Sequence, residues 1–322
     1  MTAAVFPDAK LGAGMYESFY LRAVSPTEPV GVWIRHTVHK RPGQPPQGSV
    51  WCTVFDTREP RPHAHKETTP APHVPADGWI EIGRSTFGPE RAAGACGPLR
   101  WDLRISPLAP ELRHLRRSAL YRGPIPRTKL TSPMPLAAFD GTVTVGDRTI
   151  DVSGWPGMVG HNWGAEHAER WVWLHGTGFV EDPAAWIDVA IGRIRVGGTL
   201  SPWVANGALQ IAGRRFFVGG LFARGVRVHA EVGRAELSLP GPGGLRVIAS
   251  VRAPREATVG WRYADPDGGE HDVLNCSVAR LAMTVEGIDG VRRPLTTQHG
   301  AAYELGMREH DHGIPLEPFG DG

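Results

Sequence analysis

Apolar and polar residues alternate with a period of two along most of this chain, and that pattern leaves little room for helix. Successive side chains of a strand point to opposite faces, whereas a helix needs a repeat near 3.6. "VWIRHTVH" (32–39), "VWCTVF" (50–55), "WIEI" (79–82) and "LRWDLRI" (99–105) predict strands. "FDGTVTVGDRTIDV" (139–152) predicts a hairpin with Gly-Asp at its turn. "RWVWLHGTGF", "AWIDVAIGRIRV", "VLNCSVARLAMTVEG" and "AAYELGMRE" continue the pattern to the C-terminal region. The 41 glycines and 29 prolines are scattered as punctuation rather than repeated. Turn signals at spacings of roughly eight to twelve residues predict an all-β barrel or sandwich. A chain of 322 residues has room for two such units or one large one. The best helix candidate is the short "APELRHLRRSA" around Glu111. Residues 56–78, rich in Pro and His, read as a long loop or lid, and 121–139, with four prolines, as an extended crossing segment.

Charge and cysteine content narrow the function. Lys plus Arg number 35 and Asp plus Glu 33, a net charge of +2. That balance provides no field to steer nucleic acid or an anionic membrane, so neither is an expected partner. No apolar run reaches the ~18 residues of a transmembrane helix, and "MTAAVFPDAK" has no secretory pattern. Cys52, Cys96 and Cys276 are far apart and form no CxxC, so neither a disulfide framework nor a zinc knuckle is expected and a reducing cytoplasm fits.

The densest chemistry lies in "GHNWGAEHAERWVWLHG" (160–176). On the strand beginning at 170, alternation places Trp171, Trp173 and His175 on one face, with Val172 and Leu174 on the other. On the next strand Trp186 and Asp188 share a face. A register that puts Trp173, His175, Trp186 and Asp188 together leaves the opposite face uniformly aliphatic, and a slip of one residue would separate them. The result is an aromatic wall with one His and one Asp, suited to line a pocket for an apolar ligand. His161 and Trp163 precede it, also on a shared face. As metal ligands, His161, Glu166, His167, Glu169 and His175 match neither HExxH nor paired CxxC spacing, so no metal is expected. No GxSxG nucleophile is present, and the Gly-rich turns do not open helices as phosphate loops do. Taken singly, each tryptophan also fits an ordinary sheet core.

"FDGTVTVGDRTIDVSGWPGMVGHNWG", then "RWVWLHG" and "WID", resembles the tandem lipocalin-like family of carotenoid 1,2-hydratase (hydroxyneurosporene synthase). Tocopherol cyclase and the lipocalin-like Diels–Alderases are more distant relatives of that pattern, and "ESFYLRA" (17–23) adds an N-terminal echo. His161 and Trp163 match the family's DHxWG motif, with Gly160 in place of its Asp. Asp188 matches the acid that follows an aromatic, here Trp186. The resemblance implies two antiparallel calycin-type barrels or half-barrels, over 1–164 and 165–322, with an apolar small molecule at or between them. Trp33 and Arg35, on one strand face of the first unit, are candidate wall residues. Three readings follow. In the first, His161 and Asp188 drive hydration, cyclisation or isomerisation of a polyene or isoprenoid without a cofactor. Burial would then raise the Asp188 pKa, and Trp163, Trp173 and Trp186 would stabilise a cation. The second is a non-catalytic carrier of a hydrophobic ligand, and the third makes the tryptophans core.

Overall fold

The computed structural model describes residues 2–288 and 290–319, with backbone only at 196 and 288. The first eleven strands form one antiparallel sheet. They are β1 (Met15–Val24), β2 (Val30–Lys40), β3 (Gln47–Asp56), β4 (His63–Pro70), β5 (Ile80–Ile82), β6 (Ser85–Phe87), β7 (Arg91–Cys96), β8 (Leu99–Pro107), β9 (Leu112–Arg113), β10 (Thr128–Val145) and β11 (Arg148–Gly164). The second sheet holds β12 (Arg170–Gly176), β13 (Trp186–Arg193), β16 (Val204–Ile211), β17 (Arg214–Gly219), β18 (Arg227–Glu231), β19 (Arg234–Pro240), β20 (Arg246–Arg252), β21 (Val259–Ala264), β22 (Glu270–Ile288) and β23 (Val291–Met307). A small ribbon of β14 (Arg195–Val196) and β15 (Thr199–Leu200) stands apart.

The two sheets share one topology. The first runs β4-β3-β2-β1-β11-β10-β8-β7-β6-β5, with β9 beside β10. The second runs β17-β16-β13-β12-β23-β22-β20-β19-β18, with β21 beside β22. In each, the first strand pairs with the last, and the longest hairpin (β10–β11, β22–β23) bends through register shifts. The first sheet curls until its ends nearly meet: the Cys96 thiol donates to the Val50 carbonyl at 3.2 Å, and Gly97 N–H to Glu67 at 2.7 Å. The fold is therefore two tandem lipocalin-like barrels, one nearly closed and one half-open, with almost no helix.

Alternation on β1 divides the chain's chemistry. Phe19, Leu21 and Ala23 join the first barrel's core, while Tyr16, Ser18, Tyr20 and Arg22 take the other face, where Tyr16 stacks on His167, Ser18 accepts from Arg35, and Tyr20 and Arg22 meet Trp173 and His175 of the second sheet. Three expectations need correction. Residues 63–70 form edge strand β4 rather than loop; an edge strand is only partly covered, which explains its polar sequence. From Thr128 onward the crossing segment belongs to β10, whose period is lost at register shifts around Pro133 and Pro135, where the ladder lacks an N–H. The helix around Glu111 is absent: Leu112–Arg113 pairs with β10, and the helical turn nearby is Ala119–Arg122.

Candidate functional site

The β12–β13 register brings Trp173, His175, Trp186 and Asp188 to one face, with His175 directly opposite Asp188. The connection is longer than the expected four-residue turn, spanning 177–185, and shifts the pairing by two residues without changing its parity. The other face, with Val172, Leu174, Ile187 and Val189, is core. The polar face does not line an open pocket. It packs against the outer surface of the first sheet and is sealed there.

Asp188 anchors this seam, fully buried. It accepts from Ser132 Oγ at 2.5 Å and Trp173 Nε1 at 3.1 Å, and His114 Nε2 lies 3.3 Å away. The other His114 nitrogen faces the Asn206 carbonyl at 3.0 Å, so Nδ1 carries a proton. Burial pushes the Asp188 pKa up, but the neighbouring His114, His175 and Ser132 outweigh it and hold the carboxyl below its usual range. The expected protonated Asp188 is thus corrected: His114, His175 and Ser132 outweigh its burial against the tryptophans. Beside it, His175 Nδ1 accepts from Arg22 at 3.1 Å and Nε2–H donates to the Pro135 carbonyl at 3.0 Å, fixing the neutral tautomer. Burial, with Arg22 adjacent, drops the His175 pKa to about 4. Trp186 packs on Leu112, Leu136 and Ala208, with the Arg215 guanidinium 5.0 Å from its ring.

His161 and Trp163 lie on the other side of the first sheet. His161 is cross-strand from Phe19 and Thr131, on the inward face, while Ser132 and Tyr20 point outward. The backbone of the sheet therefore runs between His161 and Asp188, and the single pocket expected to hold both is not formed. The Nε2–H of His161 donates to Glu17 at 2.7 Å. Glu17, fully buried, also accepts from the Val5 and Phe6 amides at 2.9 and 2.7 Å. The imidazole is sandwiched by Phe19 (4.1 Å between ring centres) and Trp163 (4.5 Å). Its Nδ1 makes no hydrogen bond among the described residues, in a residue that is 2% exposed. Trp163 is half-buried, with Tyr121 6.0 Å beyond it.

Trp33 and Arg35 share the seam face, as their alternation predicts, but belong to neither cluster. Trp33 packs on Trp261, and Arg35 donates to Ser18 at 2.9 and 2.7 Å with its guanidinium 4.1 Å over the Tyr263 ring. Gly160 has a steric reason to stand where the family motif carries Asp: a Cβ there would lie 2.1 Å from the Tyr20 ring, which reaches across to Trp173. Glu17, His114, Ser132 and Arg22 were not anticipated. Glu17 and Arg22 both fall in "ESFYLRA", whereas His114 lies in the segment that predicts a helix and Ser132 in the proline-rich segment.

No protein-family profile matches the chain. It is 28% identical over 292 residues to an uncharacterized Mycobacterium tuberculosis protein, MT0513 in strain CDC 1551 / Oshkosh and Rv0493c in strain H37Rv, covering 88% of this chain and 85% of that one. Among solved structures it is similar to CghA with Sch210972 (TM-score 0.60, 13% identity, 92% of this chain and 90% of that one). It is similar also to NE1406 of Nitrosomonas europaea (0.57, 12%, 95% and 97%) and to kievitone hydratase of Nectria haematococca (0.50, 10%, 92% and 89%). At these identities the likeness is one of architecture, and it extends over both barrels: the chain has the tandem lipocalin-like fold of these proteins.

Proposed function

We propose that this protein is an enzyme that moves protons on an apolar, polyene- or isoprenoid-like small molecule, in a hydration, cyclisation or isomerisation, with His161 as the proton carrier and Glu17 as its positioning partner. The observation that carries this reading is the asymmetry of the His161 ring. Its Nε2–H is committed to a buried carboxylate at 2.7 Å while Nδ1 is left without a protein partner. A carboxylate that orients an imidazole, with the second nitrogen free, is the arrangement general acid–base chemistry needs. The Trp163 face beside it suits a developing cation. Kievitone hydratase, one of the similar structures, is by name a hydratase, which agrees with this reading. Asp188, held as a carboxylate, fits the role of seam anchor better than that of acid. The alternative is a carrier that binds the same molecule without turnover.

The test is made in deuterium oxide with a panel of polyenes and isoprenoids, following ligand binding by native mass spectrometry and deuterium incorporation into the ligand. An enzyme incorporates deuterium, and His161→Gln keeps binding while losing at least ~100-fold of the rate, the usual scale for a positioned acid or base. Binding without incorporation would establish the carrier. Incorporation that survives His161→Gln would reassign the chemistry away from this dyad.

A further inference from the structure

The segment joining the two sheets is held from both sides. Ala165 N–H donates to the Arg127 carbonyl at 3.1 Å, and Thr128 Oγ1 to the Glu166 carbonyl at 2.5 Å. His167 N–H then donates to Asp265 at 2.8 Å, and its ring stacks on Tyr16 with centres 4.0 Å apart. Asp265 lies in the turn between β21 and β22, and His271 follows on β22. One donor atom from each of His167, Asp265 and His271 falls within 4.8 Å of the others, and among the described residues this is the one such group.

What marks the group is unmet bonding capacity. His271 and Asp265 are 0% and 1% exposed, yet both ring nitrogens of His271, the Nε2 of His167 and the Oδ2 of Asp265 lack hydrogen bonds. Orphaned buried polar atoms are costly singly, and four in one place call for a ligand. The charged neighbours do not supply it. Arg308 commits its Nε to Glu169 at 2.9 Å, and its Nη2 stays 3.7 Å from Asp265 Oδ2, beyond hydrogen-bond range. Glu169 itself is held by Arg195 and Arg308. Two imidazoles and one carboxylate are the donor set of zinc and of other divalent first-row metals. We propose that His167, Asp265 and His271 bind one divalent transition-metal ion, which fastens the inter-sheet linker to the β21–β22 turn. No metal was expected from the sequence because Asp265 lies 98 residues beyond His167, and only His167 belongs to the dense segment. The proposal is independent of the chemistry at His161.

Chelator-treated protein is titrated with Zn²⁺ by calorimetry and with Co²⁺ by visible absorption. We expect one equivalent per chain, a Co²⁺ spectrum of nitrogen and oxygen ligands without thiolate bands, and a melting temperature that rises with Zn²⁺. His271→Gln and Asp265→Asn, checked for folding by circular dichroism, should each weaken binding more than ~100-fold, above the ~10–100-fold typical of outer-shell changes. His229→Gln, on the exposed β18, should change nothing. If both buried variants misfold, His167→Gln on the half-buried linker takes their place. Failure of the wild type to bind one equivalent, a thiolate spectrum, or unchanged affinity in the variants would overturn the site.

Discussion

The same strand order encloses two different interiors. In the first barrel, the inward faces of β1 and β11 carry Glu17 and His161 amid Phe19, Trp163 and Val159, and β2 adds His36. In the second, the equivalent strands β12 and β23 turn Val172, Leu174, Tyr303 and Leu305 inward, and β13 adds Ile187 and Val189. The second barrel places its own histidine and acid, His175 and Asp188, on the outside, where the first barrel covers them. Every hydrogen-bonding atom of the Asp188–His114–Ser132 group is engaged, whereas His161 retains a free nitrogen. A satisfied buried network holds a structure together; an unsatisfied atom is available to a ligand. On that ground we assign the proposed chemistry to the first barrel and cohesion to the seam.

The largest expected effect tests the seam. Asp188→Ala strips the partner from Ser132, Trp173 and His114 at once and should destabilise by ~3–5 kcal/mol, the usual cost of breaking a buried pair. Urea denaturation measures this, and a loss below ~1 kcal/mol, the surface-pair range, would remove the contrast with His161. Next comes pH. Burial lowers His175 to about 4 and His36 to about 3, from 6.5. Below pH 6.5 the unfolded chain takes up protons that the folded chain does not, so stability falls as pH drops through this window. Each histidine accounts for on the order of 2 kcal/mol by pH 5. Asp188, also lowered, adds its loss only below its unfolded value of 3.8. His175→Gln and His36→Leu should each flatten the stability profile between pH 7.5 and 5, one reporting the seam and the other the first barrel. The smallest effect is in the dyad. Glu17→Gln keeps an acceptor for the Val5 and Phe6 amides and should cost only ~1 kcal/mol in denaturation, while any turnover falls because a neutral amide replaces the carboxylate that orients His161.

The fold was legible because alternation is a local property: each strand announces its own two faces. The Trp173–His175–Trp186–Asp188 face was legible for the same reason, since both strands are adjacent in the chain. Parity does not reveal what a face will meet. The same alternation that groups Trp163 with His161 says nothing of Glu17, 144 residues away, and that contact carries the role we propose for His161. Nor could it tell that the aromatic wall would meet His114 and Ser132 rather than a ligand. Irregular segments lost their signal where local rules were broken by bulges and prolines, as in β10, or where an edge strand lacked a buried face, as in β4.

Trp33, Trp51 and Phe55 of the first sheet lie in one apolar core with Trp261 and Tyr263 of the second. This shared core bears on how the chain unfolds. Two barrels joined only by a tether would melt in two steps, each with its own enthalpy. Here neither can open without exposing indoles that the other covers, so calorimetry should show one cooperative transition. The division we propose at residues 164 and 165 separates two sheets but not two folding units. A fragment ending at 164 would present Tyr20, Trp33 and Trp51 to water, a surface prone to self-association.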